Sequence, residues 1–221
     1  MGPSRLSSAQ LAILSALADF DPRWTLTGGA ALAGFHLGHR ATRDLDIFWH
    51  GRSTLEDFEP AVEATLRAAG FTVRALRRTP SFVRLHVEAD DGEAVEVDLV
   101  AEPVPHGETP ALHPLGDRVI EVDTPGEILA NKLAALLSRS ELRDLVDVDA
   151  LLATGLDLPS AVEAAGQKDG AMSAATLAWV LSQLPVGAIG AREGWPDAGV
   201  QRLASFRDHL CAQLAKLSIP R

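Results

Sequence analysis

The hydrophobic period changes once along this chain, and that change limits its fold more than any single residue does. Before residue 102, strand-like runs alternate with helical ones; after residue 124 only the helical period remains. Phe82, Arg84, His86 and Glu88 alternate with Val83, Leu85 and Val87, the pattern of a half-buried strand. The Asp90-Asp91-Gly92 turn and the run Val95 to Val100 then complete a hairpin. Further strands are predicted at 24–26, 45–49 and 71–76. Helices are predicted at 8–20, opened by a serine cap, at 30–37, and at 55–69, where Gly70 supplies the stop. Pro103, Pro105, Pro110 and Pro114 mark 102–117 as a loop joining two lobes. Helices follow at 125–138, 141–154, 160–166, 173–184 and 197–217, with the Gly/Pro-rich stretch 185–196 separating the last two. The expected fold is therefore α/β (α+β): a lobe with a mixed sheet over residues 1–117, then an all-helical lobe over 118–221.

With 47% hydrophobic and 23% charged residues, the chain has globular composition. Its single cysteine, Cys211, excludes an intramolecular disulfide and any cysteine-based zinc cluster. Met1-Gly2-Pro3-Ser4-Arg5 has no signal-like apolar run, and no stretch approaches the roughly 20 apolar residues that span a bilayer. A cytoplasmic location with no membrane partner is expected. The net charge of −10 disfavours a broad nucleic-acid surface. Yet no acid lies between Glu63 and Glu88, where Arg67, Arg74, Arg77, Arg78 and Arg84 fall. These arginines form either a local basic strip or a solvated face that balances the acidic remainder.

The chemistry concentrates in two short runs. Gly28-Gly29, at an expected strand-to-helix turn, lets backbone N–H groups approach a ligand, and the helix start favours phosphate. Asp44 and Asp46 stand at i and i+2 near a strand, so both carboxylates project from one face. Paired hard oxygen donors suit Mg²⁺, which completes its shell with water and substrate phosphates. Glu96-Val97-Asp98 supplies a further carboxylate on a later strand, with Glu96 and Asp98 on one face. Three carboxylates can hold two metal ions about 3.5–4 Å apart, and Asp98 could also serve as the base for the acceptor's proton. A Gly-Gly pair alone is usually only a turn, and an Asp-x-Asp alone a solvated strand end. The conjunction of the three carries the reading.

The run Leu26 to Phe48 resembles the signature of the DNA polymerase β-type nucleotidyltransferase superfamily. More narrowly, Gly28-Gly29 with Ala31-Leu32, His39-Arg40, Thr42 and Asp44-Leu45-Asp46-Ile47-Phe48 is similar to the AbiEii/AbiGii-type toxins of type IV toxin–antitoxin pairs. The likeness continues at Lys132, Ala135-Leu136, Arg139, Arg143-Asp144 and Asp147, and so spans roughly residues 24–152. The resemblance implies a polymerase β-like catalytic lobe and NMP transfer from an NTP with Mg²⁺ or Mn²⁺. It also implies an RNA acceptor such as a tRNA end, and a cognate antitoxin. It assigns metal binding to Asp44, Asp46 and Asp98. Gly28, Gly29, Arg40 and Thr42 would lie on the nucleotide, Lys132 on its phosphates, and Asp144 or Asp147 would position the nucleotide or the lysine.

Lys132 stands out without the family. In helix 125–138 it falls within the apolar stripe of Ile128, Leu129, Leu133, Leu136 and Leu137, so its ammonium needs a partner, a phosphate, or a path to water. Its removal is expected to leave the fold intact, since no large core side chain is lost. Arg143 and Asp147, at i and i+4, have the spacing of a surface ion pair, and Asp149 is placed to cap or bridge helices. Arg40 and Arg43 are placed either for phosphate or for Asp44. His36, His39, His106 and His113 show no metal-ligand spacing. Two other readings stand beside the RNA-directed enzyme: transfer to a small molecule or protein side chain, and a catalytically silent nucleotide-binding or interaction module.

Overall fold

The computed structural model describes residues 5–55 and 57–219. Met1 to Ser4 of the opening run and Glu56, within the expected helix 55–69, lie outside the described residues. A division between two compact units falls between Pro125 and Gly126.

The first unit is built on a seven-stranded sheet. Helix α1 (Ser8–Leu17) opens with a full capping box: the Ser7 side chain accepts from the Gln10 backbone, and the Gln10 side chain returns the bond. Strand β1 (Thr25–Thr27) leads into α2 (Gly28–Ala31), which continues as a π-helical turn, Leu32–His36. Then come β2 (Asp44–His50), α3 (Glu59–Ala68), β3 (Thr72–Thr79), β4 (Phe82–Glu88), β5 (Ala94–Glu102), β6 (Ala111–Leu115) and β7 (Arg118–Val122). The strand order is β3-β4-β5-β2-β1-β7-β6. Two parallel pairings, β2 with β5 and β1 with β7, stand among antiparallel ones, so the sheet is mixed as expected.

Alternation decides the register of the central strands. Leu45 and Ile47 of β2 and Val97 and Leu99 of β5 are fully buried, as are Ile13 and Leu14 of α1 and Val62 and Leu66 of α3. Each such side chain contributes about 1.5–3 kcal/mol over leaving it in water. A one-residue slip of β2 would drive Asp44 and Asp46 into this core, so the carboxylates hold the opposite face.

The stretch 102–117 is not a join between lobes. It contains β6, and Leu115 pairs with Arg118 around the two-residue turn Gly116-Asp117. Gly116 takes a positive φ of 63°, as such hairpin turns require. Pro114 is tolerated because β6 is an edge strand, one side of which has no ladder partner. The division accordingly falls after β7 rather than at 117.

The second unit is helical: α4 (Pro125–Ser138), α5 (Leu142–Leu152), α6 (Leu158–Lys168), α7 (Ala174–Gln183), α8 (Val186–Glu193) and α9 (Asp197–Leu217). Helix α8 occupies the stretch expected to be a Gly/Pro-rich separator. Its Gly190 serves packing, since a Cβ there would come within 2.5 Å of the Val200 side chain on α9. Asp149 bridges helices as one of its two expected roles, pairing with Arg202 of α9. Among the described residues no single helix is long and apolar enough to cross a membrane.

Candidate active site

The sheet brings Asp44, Asp46, Glu96 and Asp98 onto one face at adjacent positions. Because β2 and β5 run parallel, Asp44 stands beside Glu96 and Asp46 beside Asp98. Thr27, the last residue of β1, stands on the other side of Asp46. Gly28 follows with φ +64°, and a Cβ there would overlap the Asp46 Oδ2 carboxylate oxygen. Both facts demand glycine: the backbone is left-handed and the carboxylate occupies the side-chain space. A Cβ at Gly29 would lie 3.0 Å from Arg40 Nη2 and 3.0 Å from Thr42 Oγ1. Gly28, Gly29, Arg40, Thr42, Asp44 and Asp46 therefore sit together, as the sequence pattern suggests. Thr42 donates its hydroxyl hydrogen to Asp44 Oδ1, and its own carbonyl accepts from Gln10 Nε2 at 3.3 Å.

Asp98 is more deeply set, with 7% of its surface exposed. Arg84 of β4 holds it in a fork, Nε to Oδ1 and Nη2 to Oδ2, each at 2.7 Å. The same guanidinium reaches Glu96 at 3.4 Å. The bonds from Asp98 raise the already high pKa of Arg84, so this arginine stays charged. Arg84 is the residue that the motif pattern does not single out. The hairpin would have found it, because positions 84 and 98 are equidistant from Asp91 at the turn.

The arginine strip is largely paired. Arg67 meets Glu63, and Arg78 meets Glu59 and, at 2.6 Å, Glu63. Arg77 lies over the Phe82 ring, 5.5 Å from its centre, and Arg74 is exposed. The balancing role is thus visible for Arg67, Arg78 and Arg84.

Within the helical unit, Lys132 of α4 gives its ammonium to two buried carboxylates of α5, Asp144 Oδ1 at 2.6 Å and Asp147 Oδ2 at 3.1 Å. Arg139 forks onto Asp144 as well, at 2.7 and 3.1 Å. Asp144 and Asp147 are 1% and 0% exposed, so this is an interior ionic network and not a surface one. Asp147 is accordingly not the surface partner of Arg143, which is exposed. The apolar-stripe position of Lys132 thus finds its partners inside the protein.

The carboxylates of Asp44, Asp46, Glu96 and Asp98 give this face the oxygen ligands that a hard divalent cation selects, with the Arg84 guanidinium against two of them.

None of the curated proteins matches the sequence. Among solved structures, JHP933 of Helicobacter pylori is similar at 19% identity, over 96% of this chain and 96% of that one, with a TM-score of 0.55. MenT4, a nucleotidyltransferase toxin of Mycobacterium tuberculosis H37Rv, is similar at 19% identity over 93% and 91% of the two chains, with a TM-score of 0.57. At these identities the likeness is one of fold, and the fold is that of nucleotidyltransferases. The model of the nucleotidyl transferase AbiEii toxin family of type IV toxin–antitoxin systems matches residues 12–208, a span reaching through both compact units, and the chain belongs to that family.

Proposed function

We propose that this protein is a metal-dependent enzyme that transfers a nucleoside monophosphate from an NTP to an RNA acceptor, such as a tRNA end, and that a cognate antitoxin restrains it. The observation that carries the reading is the fit of Gly28 against Asp46 beside the register pairs Asp44–Glu96 and Asp46–Asp98.

Asp44 and Asp46 are the carboxylates that would hold Mg²⁺ or Mn²⁺, with Asp98 completing the set. When bound, the metal would neutralise phosphate charge and activate the attacking hydroxyl. Gly28 and Gly29 would present backbone N–H groups to the triphosphate, with Arg40 and Thr42 beside it. Thr42 orients Asp44 through its hydroxyl. Arg84 keeps Asp98 in place between β4 and β5. Lys132 keeps the phosphate-binding role that the family likeness implies, positioned by Asp144 and Asp147.

For the acceptor, the exposed Arg74 and Arg77 support an RNA phosphate contact. The neutralisation of Arg67, Arg78 and Arg84 by Glu63, Glu59 and Asp98 favours the second reading, a small-molecule or protein acceptor. Transfer of label from each α-labelled NTP onto total tRNA, with Mg²⁺ or Mn²⁺, separates the two. Label on RNA supports the first reading. Label only on a small molecule or on protein removes the RNA acceptor and keeps the chemistry. No transfer to any acceptor, with NTP still bound, leaves the silent module.

Gly28→Ala tests the cradle. Forcing a Cβ into left-handed backbone costs about 1–2 kcal/mol. The methyl group must also displace the Asp46 carboxylate. The expected result is a lower melting temperature together with at least about a tenfold loss of transfer. Unchanged transfer would remove the Gly28–Asp46 approach from the site.

A further inference from the structure

A second group of metal-type ligands lies on the same sheet, away from the aspartates. His50 ends β2, His106 lies between β5 and β6, and Asp123 follows β7. One ring nitrogen of each histidine and one Asp123 carboxylate oxygen all fall within 4.8 Å of one another. By strand rise, His50 stands about 13 Å along β2 from Asp46, too far to share its ion.

We propose that His50, His106 and Asp123 form a binding site for a borderline transition-metal cation, Zn²⁺ in the first instance, distinct from the carboxylate site. The donor set argues for this class of ion. Two imidazoles and one carboxylate suit Zn²⁺, Co²⁺ or Ni²⁺, whereas Mg²⁺ prefers oxygen alone. Zn²⁺ holds three protein ligands in its open sites and leaves a fourth position for water or another ligand.

The geometry is close to what such an ion needs. Bonds of about 2.0–2.1 Å in a tetrahedron put neighbouring ligand atoms about 3.3 Å apart. His106 Nε2 and Asp123 Oδ1 already stand at 3.4 Å. The remaining ligand has only to close from at most 4.8 Å, which small side-chain rotations can do. The ring centres of His50 and His106 lie 3.5 Å apart, so the two imidazoles lie one against the other and would have to splay by about 1.5 Å for both to reach one ion.

The surroundings also orient the ligands. His50 Nδ1 lies 3.0 Å from the Val104 carbonyl oxygen. A carbonyl only accepts, so Nδ1 carries the proton and Nε2 of the neutral ring carries the lone pair. A ligating histidine commonly has this arrangement, its other nitrogen donating to a backbone carbonyl. His36 Nε2 donates to the Asp123 carbonyl at 2.8 Å, whereas the Thr25 hydroxyl stands 3.2 Å from His106 Nε2, the ligating nitrogen, and would be displaced by the ion. Asp123 is wholly buried, and a carboxylate in that setting gains most from a cation at its side. Bound metal would tie the segment between β5 and β6 to β2 and to the end of β7. The site escapes sequence reading because its outermost ligands, His50 and Asp123, lie 73 residues apart in the chain.

The full chain, stripped with chelator, would be titrated with Zn²⁺ and then with Co²⁺. Binding would be followed by calorimetry, by the Co²⁺ visible spectrum and by melting temperature. One tight equivalent with an imidazole-type Co²⁺ spectrum is expected in wild type and Asp46→Asn alike, whatever further metal the carboxylate face takes up in wild type. His50→Gln and His106→Gln, checked for folding by circular dichroism, are each expected to weaken it by at least about 100-fold. The proposal is overturned if neither metal binds wild type. It is equally overturned if Asp46→Asn abolishes the binding, or if a folded histidine variant keeps it unchanged. Should both histidine variants fail to fold, loss of the imidazole-type Co²⁺ spectrum from wild type would decide against it, and its presence in Asp46→Asn would decide for it.

Discussion

Asp46→Asn is expected to lower nucleotide transfer by at least about a thousandfold, or about 4 kcal/mol of transition-state stabilisation, while leaving the melting temperature nearly unchanged. The two halves of that expectation come from different observations. Asp46 stands beside Asp98 on β5 and against the backbone of Gly28, so its carboxylate occupies the centre of the oxygen-donor face. Replacing it with an amide removes the charge that a divalent ion needs. The residue is only half-buried, and its neighbours Leu45 and Ile47 hold β2 in the core, so the strand remains in place. Transfer from α-labelled NTP, measured beside a thermal melt, checks both halves. Wild-type turnover in a folded Asp46→Asn protein would sink the metal assignment.

Lys132→Ala has its largest effect elsewhere. The expected result is a loss of about 3–5 kcal/mol of stability, because one cation leaves two carboxylates that are 1% and 0% exposed. Arg139 still forks onto Asp144, while Asp147 loses the ammonium that stood 3.1 Å away. The double variant Lys132→Ala/Asp147→Ala should recover part of the loss, since it removes one buried carboxylate together with its cation. Denaturant unfolding of the wild type, the single and the double variant measures this directly. A single variant as stable as wild type would show that the network carries no net stability. The expectation from sequence, that this substitution spares the fold, considers only apolar volume and so misses the ionic partners. Any fall in NTP use by Lys132→Ala has to be read at a temperature where the variant is folded.

Much of the architecture was legible because its signals are local. The alternation of 82–88, the Asp90-Asp91-Gly92 turn and the apolar stripe of 125–138 all act between residues at most a few positions apart. The bounds of β4, α4 and α9 follow these patterns to the residue. Proline count misled at 102–117, because an edge strand tolerates what a central strand does not. The Gly116-Asp117 pair was the overlooked signal for that hairpin. Glycine count misled at 185–196, where Gly190 lets α9 approach and does not break α8.

The sequence by itself determined which residue types stand together on short stretches: Gly28 with Gly29, Asp44 with Asp46, Lys132 inside an apolar stripe. Spacing along one strand or helix decides such groupings, and spacing is written in the chain. Only the tertiary structure decided which side chains meet across it. Strand pairing set Asp46 beside Asp98 and gave Asp98 its arginine. Helix packing delivered Asp144 and Asp147 to Lys132, and three separate segments brought His50, His106 and Asp123 together. The physical reason is that hydrophobic burial chooses the register and the packing, and the charged groups then meet whatever that choice sets against them.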